Sequence, residues 1–221
     1  MHHLMPHFAE KTHVIWDWNG TLLDDVELCA TIVRDLMAEH GLPPLSTTDY
    51  RRAFRFPVQA YYRDIGFDLD RLSFAELSSK FVTRYTSLMA TQPLYHGAAE
   101  LLADLSAQGV VNVVLSAAHE RDLHFLLGHH GIAERFQHVF GLSDHDAVSK
   151  LQRGQDLLAT LTGAGADPAR MILIGDTDHD YEVGTAMGID TLILTDGHQH
   201  LDRLAVLGTK LASRERAAPR S

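Results

Sequence analysis

The sequence predicts an α/β fold, a doubly wound parallel sheet interrupted by an all-helical insert, and three features carry that prediction. Four short runs, HVIWDW (13–18), VVNVVLS (110–116), MILIGD (171–176) and TLILTD (191–196), are apolar almost throughout, as strands covered on both faces must be. From residue 97 onward such runs alternate with helical patterns, the order that a parallel sheet with crossover helices requires. The interval 24–94 breaks the alternation, because it holds no strand-like run and reads as consecutive amphipathic helices.

In chain order, the strand at 13–18 comes first. Helices near 25–40, 47–55, 58–66 and 73–90 follow, separated by GLPPLS and RFP, where proline and the residue before it leave helical geometry. GAAELLADLSAQG (97–109) is the next helix, then the strand at 110–116 and the helix ERDLHFLLGHHG (120–131). QHVFG (137–141) is a weaker strand candidate. SKLQRGQDLLATLTGAG (149–165), the strand at 171–176, DYEVGTAMG (180–188) and the strand at 191–196 complete the pattern, several helices closing on glycine. Residues 12–23 and 95–200 thus form the predicted core and 24–94 the insert, while 1–11 and 211–221 are expected to be flexible termini. The insert should lie over the carboxyl ends of the strands, since its two connections emerge there.

With 221 residues, 45% of them apolar, the chain can bury a sizeable core. A net charge of −10 and the lack of any dense Lys/Arg cluster argue against nucleic-acid and anionic-membrane partners. A small anionic substrate stays compatible, because only the local field of a pocket matters to it. The single cysteine, Cys29, excludes an intramolecular disulfide and a thiolate metal cage, and its apolar helical setting reads as a buried thiol. No leader and no run of about 20 apolar residues is found, so a cytoplasmic location is expected. The fifteen histidines are scattered without companion ligands, and pairs such as His198 and His200 read as solvated loop residues.

Two strands finish on aspartate, Asp17 and Asp176, and Asp180 follows in GDTDHD. Taken singly, each acid suits the cap of the next helix. If the strands are central and parallel, however, the three carboxylates converge, and their repulsion calls for a cation. Oxygen-only ligands point to Mg²⁺. Ser116, with Ala117 and Ala118 behind it, offers a hydroxyl and backbone N–H groups to an anion at a strand end. Lys150, one of four lysines, opens the helix at 149–165.

DWNGTL (17–22), VVLS (113–116), Lys150 and GDTDHD (175–180), in this order, resemble the four motifs of the haloacid dehalogenase-like hydrolase superfamily. The insert resembles its α-helical cap of the first type, and YHGAAELLADL (95–105) is similar to the segment by which such chains leave the cap. The similarity runs from about Thr12 to Gly197 and is strongest to the phosphoglycolate phosphatase-like branch. It implies an α/β core with an inserted all-helical cap domain, and a Mg²⁺-dependent hydrolase of small phosphorylated metabolites. On this resemblance Asp17 is the nucleophile that forms an aspartyl-phosphate, and Asp17, the Asn19 backbone carbonyl, Asp176 and Asp180 bind Mg²⁺. Ser116 and the N–H groups around Ala117 hold a phosphate oxygen, and Lys150 neutralises charge on phosphate and nucleophile. Gly20 lets the backbone turn close to the phosphate. Arg55, at the cap turn RRAFRFPVQAYY, is a candidate partner for a substrate carboxylate or second phosphate, set against a solvated face shared with Arg51 and Arg52. Phe54, Phe56, Tyr61 and Tyr62 read as cap core or cap–core interface rather than as a binding box.

Asn19 departs from the pattern, since most phosphatases of the superfamily carry a second aspartate there to protonate the leaving oxygen. An amide exchanges no proton near neutral pH, so slow hydrolysis of alkyl phosphates is expected, and restoring an acid at 19 should raise turnover. His179 is the one histidine inside GDTDHD, and its neighbours there imply that it points away from the pocket. Two alternatives accompany the phosphatase reading: a noncatalytic or weakly active phosphometabolite-binding protein, and a phosphonate C–P bond hydrolase, whose first motif DWNGT resembles. That branch needs a cap lysine for an imine, and the cap's lysine here is Lys80, deep in the fourth helix.

Overall fold

The protein is described by a computed structural model over residues 1–142 and 149–214. Its strands are β1 (His13–Trp16), β2 (Val111–His119), β3 (Phe136–Leu142), β4 (Met171–Gly175), β5 (Asp190–Leu194) and β6 (Lys210–Ala212). They form one sheet in the order β3-β2-β1-β4-β5-β6, every neighbouring pair parallel. Alternate residues of the central strands bury into opposite layers. Val14, Trp16, Ile172 and Ile174 join one cluster with Leu101, Leu105 and Leu123. Ile15 and Leu173 join the other with Leu157, Leu161 and Val183. The one amide inside these apolar runs, Asn112, is matched to Trp16, whose indole N–H donates to it at 2.9 Å.

The helices are α1 (Val26–Glu39), α2 (Thr47–Ala53), α3 (Val58–Asp64), α4 (Phe74–Leu88), α5 (Ala98–Ala107), α6 (Glu120–His129), α7 (Lys150–Gly163), α8 (Asp178–Met187) and α9 (Leu201–Leu204). The first four make up the inserted all-helical cap. Ser46 and Ser73 cap α2 and α4 by accepting from Asp49 N and Glu76 N. The four pack on a cluster of their own that includes Ile32, Leu36, Tyr50, Tyr62 and Phe67. The cap is tied to the core through α2 and the segment after β5. Arg51 donates to the carbonyls of Gly197 and Thr195, both at 2.7 Å, while His200 N donates to the Arg51 carbonyl at 2.9 Å.

Both termini differ from expectation. Residues 1–11 are packed, not loose: a 3₁₀ segment His2–Phe8 buries Leu4 and Phe8 in the sheet's first cluster, and the Phe8 ring lies 5.8 Å from that of Trp16. Beyond residue 200, where the core was expected to end, β6 extends the sheet and Arg214 is buried. A three-residue strand is too short to show a period, which is why the pattern missed it. The rest of the expected carboxyl-terminal tail, 215–221, lies outside the described residues. Among those residues, no helix is long and apolar enough to cross a membrane.

Candidate active site

The strand order places β1 beside β4, with β2 and β3 on one side and β5 and β6 on the other. Ligands of open α/β sheets bind at such a reversal, outside the carboxyl ends of the strands. Asp17 follows β1, Asp176 follows β4, and Asp180 sits in the first turn of α8. All three are buried, and oxygens of the three carboxylates lie within 4.8 Å of one another.

Each acid is held by a different set of donors. Asp180 Oδ2 accepts from Asp176 N at 3.1 Å, Thr177 N at 3.0 Å and the Thr177 hydroxyl at 2.7 Å, which closes a capping box on α8. Asp176 accepts from the Thr21 hydroxyl at 3.0 Å and His198 N at 2.5 Å. Lys150, the first residue of α7, donates to Asp17 Oδ1 and Asp180 Oδ1, both at 2.5 Å. Burial pushes the Asp17 carboxyl up to about 7 against the pull of Lys150, with Asp180 and Asp176 adding to the rise. Asp176 is likewise raised by burial and by Asp180. Burial would lower Lys150, yet its two carboxylates hold it above its ordinary value. Three carboxylates thus crowd around one ammonium, and the rise of Asp17 and Asp176 is the consequence.

Ser116 does not end its strand, because β2 runs on to His119. Its hydroxyl accepts from Ala118 N at 3.1 Å, and Ser116 and Ala117 line the same cavity as Asp17 and Lys150. Gly20 has φ +66°, as its turn requires, and a Cβ there would stand 2.4 Å from Asp176 Oδ2 and from the His198 ring. The glycine is needed for packing against an acid and a histidine, a reason different from the phosphate approach expected of it. Arg55 is not brought to the site. Its Nε donates to Asp64 at 2.6 Å, and it is absent from the residues lining the cavity. Arg51 is no solvated face either, since it makes the cap–core bonds above. Lys80 pairs with Glu39 at 2.9 Å and does not line the cavity, so the lysine that imine chemistry needs is elsewhere.

Asn19 sits in a network that the sequence did not reveal. Its Nδ2 donates to Asp25 Oδ2 at 2.7 Å and to the Tyr85 hydroxyl. Asp25, fully buried, also accepts from Gly20 N at 2.8 Å and Tyr85 OH at 2.9 Å, and its Oδ1 lies 3.1 Å from His198 Nε2. The other ring nitrogen of His198 is 2.9 Å from the Tyr50 hydroxyl. Burial alone would lower His198, but Asp25 opposite its ring carries it up to about 8. His198 is therefore a buried site residue, contrary to the solvated loop expected. Its signal was topological: it follows β5, which pairs with β4. Cys29, within reach of the same pair, is buried with its thiol pushed up by burial and Asp25. His179 also departs from expectation, lining the cavity with its ring 4.9 Å from that of Phe56.

The chain resembles known proteins along most of its length. A family model described as haloacid dehalogenase-like hydrolase matches residues 14–194. An N-acetylmuramic acid 6-phosphate phosphatase of Pseudomonas aeruginosa is 31% identical over 85% of this chain and 83% of its own length. A phosphoglycolate phosphatase of Caulobacter vibrioides is 25% identical over 87% of this chain and 82% of its own. Among solved structures, a haloacid dehalogenase-like family hydrolase of Streptococcus pneumoniae superposes with a TM-score of 0.77 at 18% identity, covering 94% of this chain and 95% of that one.

Proposed function

The chain belongs to the haloacid dehalogenase-like hydrolases and is a phosphatase-type hydrolase, and from that premise we propose a Mg²⁺-dependent phosphatase of small phosphorylated metabolites that works through an aspartyl-phosphate on Asp17. The observation that carries the proposal is the buried carboxylate trio at the carboxyl ends of adjacent strands, two of its members shared by one lysine. The trio fits a divalent cation. It offers oxygen ligands alone, and carboxylates raised by one another are what a bound cation relieves. Asp17, Asp176, Asp180 and the Asn19 carbonyl would hold Mg²⁺, which when bound supplies positive charge to the phosphoryl oxygens.

Asp17 does the chemistry in this scheme. Lys150 holds Oδ1 and steadies the carboxylate, and Oδ2 attacks phosphorus, so that a new P–O bond forms as the ester P–O bond breaks and the alcohol oxygen leaves with the electron pair. Water then attacks the phosphoryl group and returns the Asp17 carboxylate. The Ser116 hydroxyl and the N–H of Ala117 fix a phosphoryl oxygen, and Lys150 offsets charge on nucleophile and phosphate. Asn19 gives the leaving oxygen no proton, which favours alcohols that depart as stabilised anions. We take residues 24–94 as the cap domain, whose helices exclude water from these steps.

The test is phosphate release from a set of phosphorylated metabolites with Mg²⁺, with chelator and with Asp17→Asn. Turnover that needs both the metal and Asp17 is expected. Full rates in chelator, or in Asp17→Asn, would refute the scheme, since losing a required nucleophile lowers kcat by about a thousandfold or more. Phosphate binding with no turnover of any ester would instead support the noncatalytic reading, which the committed Asn19 amide favours.

A further inference from the structure

The cavity above Asp17 and Lys150 measures about 570 Å³ and runs up under the cap, walled by Phe54, Phe56, Tyr61, Phe81, Val82 and Met89 among others. That volume lies within the range of pockets that enclose drug-sized ligands. A two-carbon phosphorylated acid would leave most of it to water. The ring of Phe54 stands 5.5 Å from Phe56 and 5.4 Å from Tyr61, both edge-on, the spacing at which a further ring packs well.

Charge narrows the occupant further. Lys150 is the sole lysine or arginine among the described lining residues, and Asp17 and Asp180 already share it. Asp25, Asp122 and Asp176 line the same space. Arg55 is spent on Asp64 and Arg51 on backbone carbonyls. His198, the other cationic side chain in the lining, has its two ring nitrogens on Asp25 and Tyr50, so a carboxylate or second phosphate on the substrate would enter a desolvated field whose cations are already paired. The remaining wall is apolar and aromatic, and it fits an uncharged apolar body.

We infer that the substrate is a phosphate ester of an uncharged aromatic alcohol, its ring seated among the cap aromatics and its phosphate on the Asp17–Lys150 end. This rests on the phosphatase reading and deepens it. It also agrees with the amide at 19: a phenolic oxygen leaves as a stabilised anion and asks less of an acid than an alkoxide does. The bonds exchanged are those given above, with phenolate as the leaving group, protonated afterwards by water.

The test uses the full chain with Mg²⁺ and has two arms. In the kinetic arm, phenyl phosphate, 2-naphthyl phosphate and phosphoglycolate are compared. From phenyl to 2-naphthyl, whose leaving groups are alike, KM is expected to fall by at least about fivefold with kcat little changed, as burial of a second ring requires. In the binding arm, calorimetry compares benzylphosphonate with phosphonoacetate, neither of which can be turned over, and benzylphosphonate should bind at least about tenfold more tightly. Phosphonoacetate binding as well as or better than benzylphosphonate, or phosphoglycolate being the preferred ester, would overturn the inference and leave the phosphatase reading standing. Failure of inorganic phosphate and both phosphonates to bind would sink the two together.

Discussion

Asn19 holds its side-chain amide against Asp25 and Tyr85, and this fixes what a substitution there would do. An aspartate at 19 would set a carboxylate where Nδ2 now stands, 2.7 Å from a buried carboxylate. Like charges that close cannot both ionise. Asn19→Asp should therefore destabilise the fold by about 1–3 kcal/mol, more at about pH 8 than at about pH 5, where the pair keeps a shared proton. It should bring no tenfold gain on alkyl phosphates, so the benefit expected from restoring an acid is reversed by the neighbour that accepts the amide. Adding Asp25→Asn swaps the two groups and should recover most of the lost stability. Chemical denaturation and initial rates of the three variants decide this, and a stable, faster Asn19→Asp would contradict it.

The same network predicts a pH profile for the metal-free protein. His198 is raised from 6.5 to about 8, so its contact with Asp25 stabilises fully below about pH 6.5 and loses that effect as pH rises through about 8. Asp25, held below 3.8 against its burial by His198, Asn19 and Tyr85, keeps its share above that value and loses it as pH falls through its depressed one. The stability difference between the wild type and His198→Gln should accordingly shrink over the upper window. A difference that stays flat there would show that the ring is neutral throughout.

Among the elements, α2 and the segment after β5 form a brace between cap and core. Arg51 alone makes three donations there, to Thr195, Gly197 and Gln199 carbonyls. Hydrogen bonds from charged groups contribute about 1.5–3 kcal/mol each where well formed. Arg51→Ala should thus loosen α1 to α4 without unfolding the sheet, seen as faster amide exchange in residues 26–88 with β1 and β4 unchanged. Equal protection in both proteins would mean that the cap's own core holds it in place. A similar brace acts from the carboxyl-terminal side: Arg214 donates to the carbonyls of Gly20 and Thr21, pairs with Asp196 and stacks 3.6 Å from the Tyr95 ring centroid. Lysine at 214 lacks the planar fork for these partners.

At the scale of the whole molecule, the parts legible in the sequence were those with a period or a strand end to mark them. Continuous apolar runs revealed β1, β2, β4 and β5, and acids at the ends of two of them came together because β1 and β4 pair. What stayed hidden depended on which segments the topology makes neighbours. His198 and Asp25 are 173 residues apart, and nothing local in either tells of the other. Arg55 was judged by its place at the cap turn, but a partner nine residues on, Asp64, claims it. Arg214 follows a strand of three residues, too short to announce a sheet.

The central claim is that Asp17 carries the phosphoryl group between substrate and water, and one measurement reaches it directly. The enzyme is mixed with Mg²⁺ and an aryl phosphate, quenched in acid within a turnover, digested and weighed by mass spectrometry. The account predicts one added phosphoryl group on the peptide that holds Asp17, discharged on longer incubation and missing from Asp17→Asn. Steady phosphate release with that peptide unmodified at every quench time, or with the phosphoryl group on another residue, would contradict it.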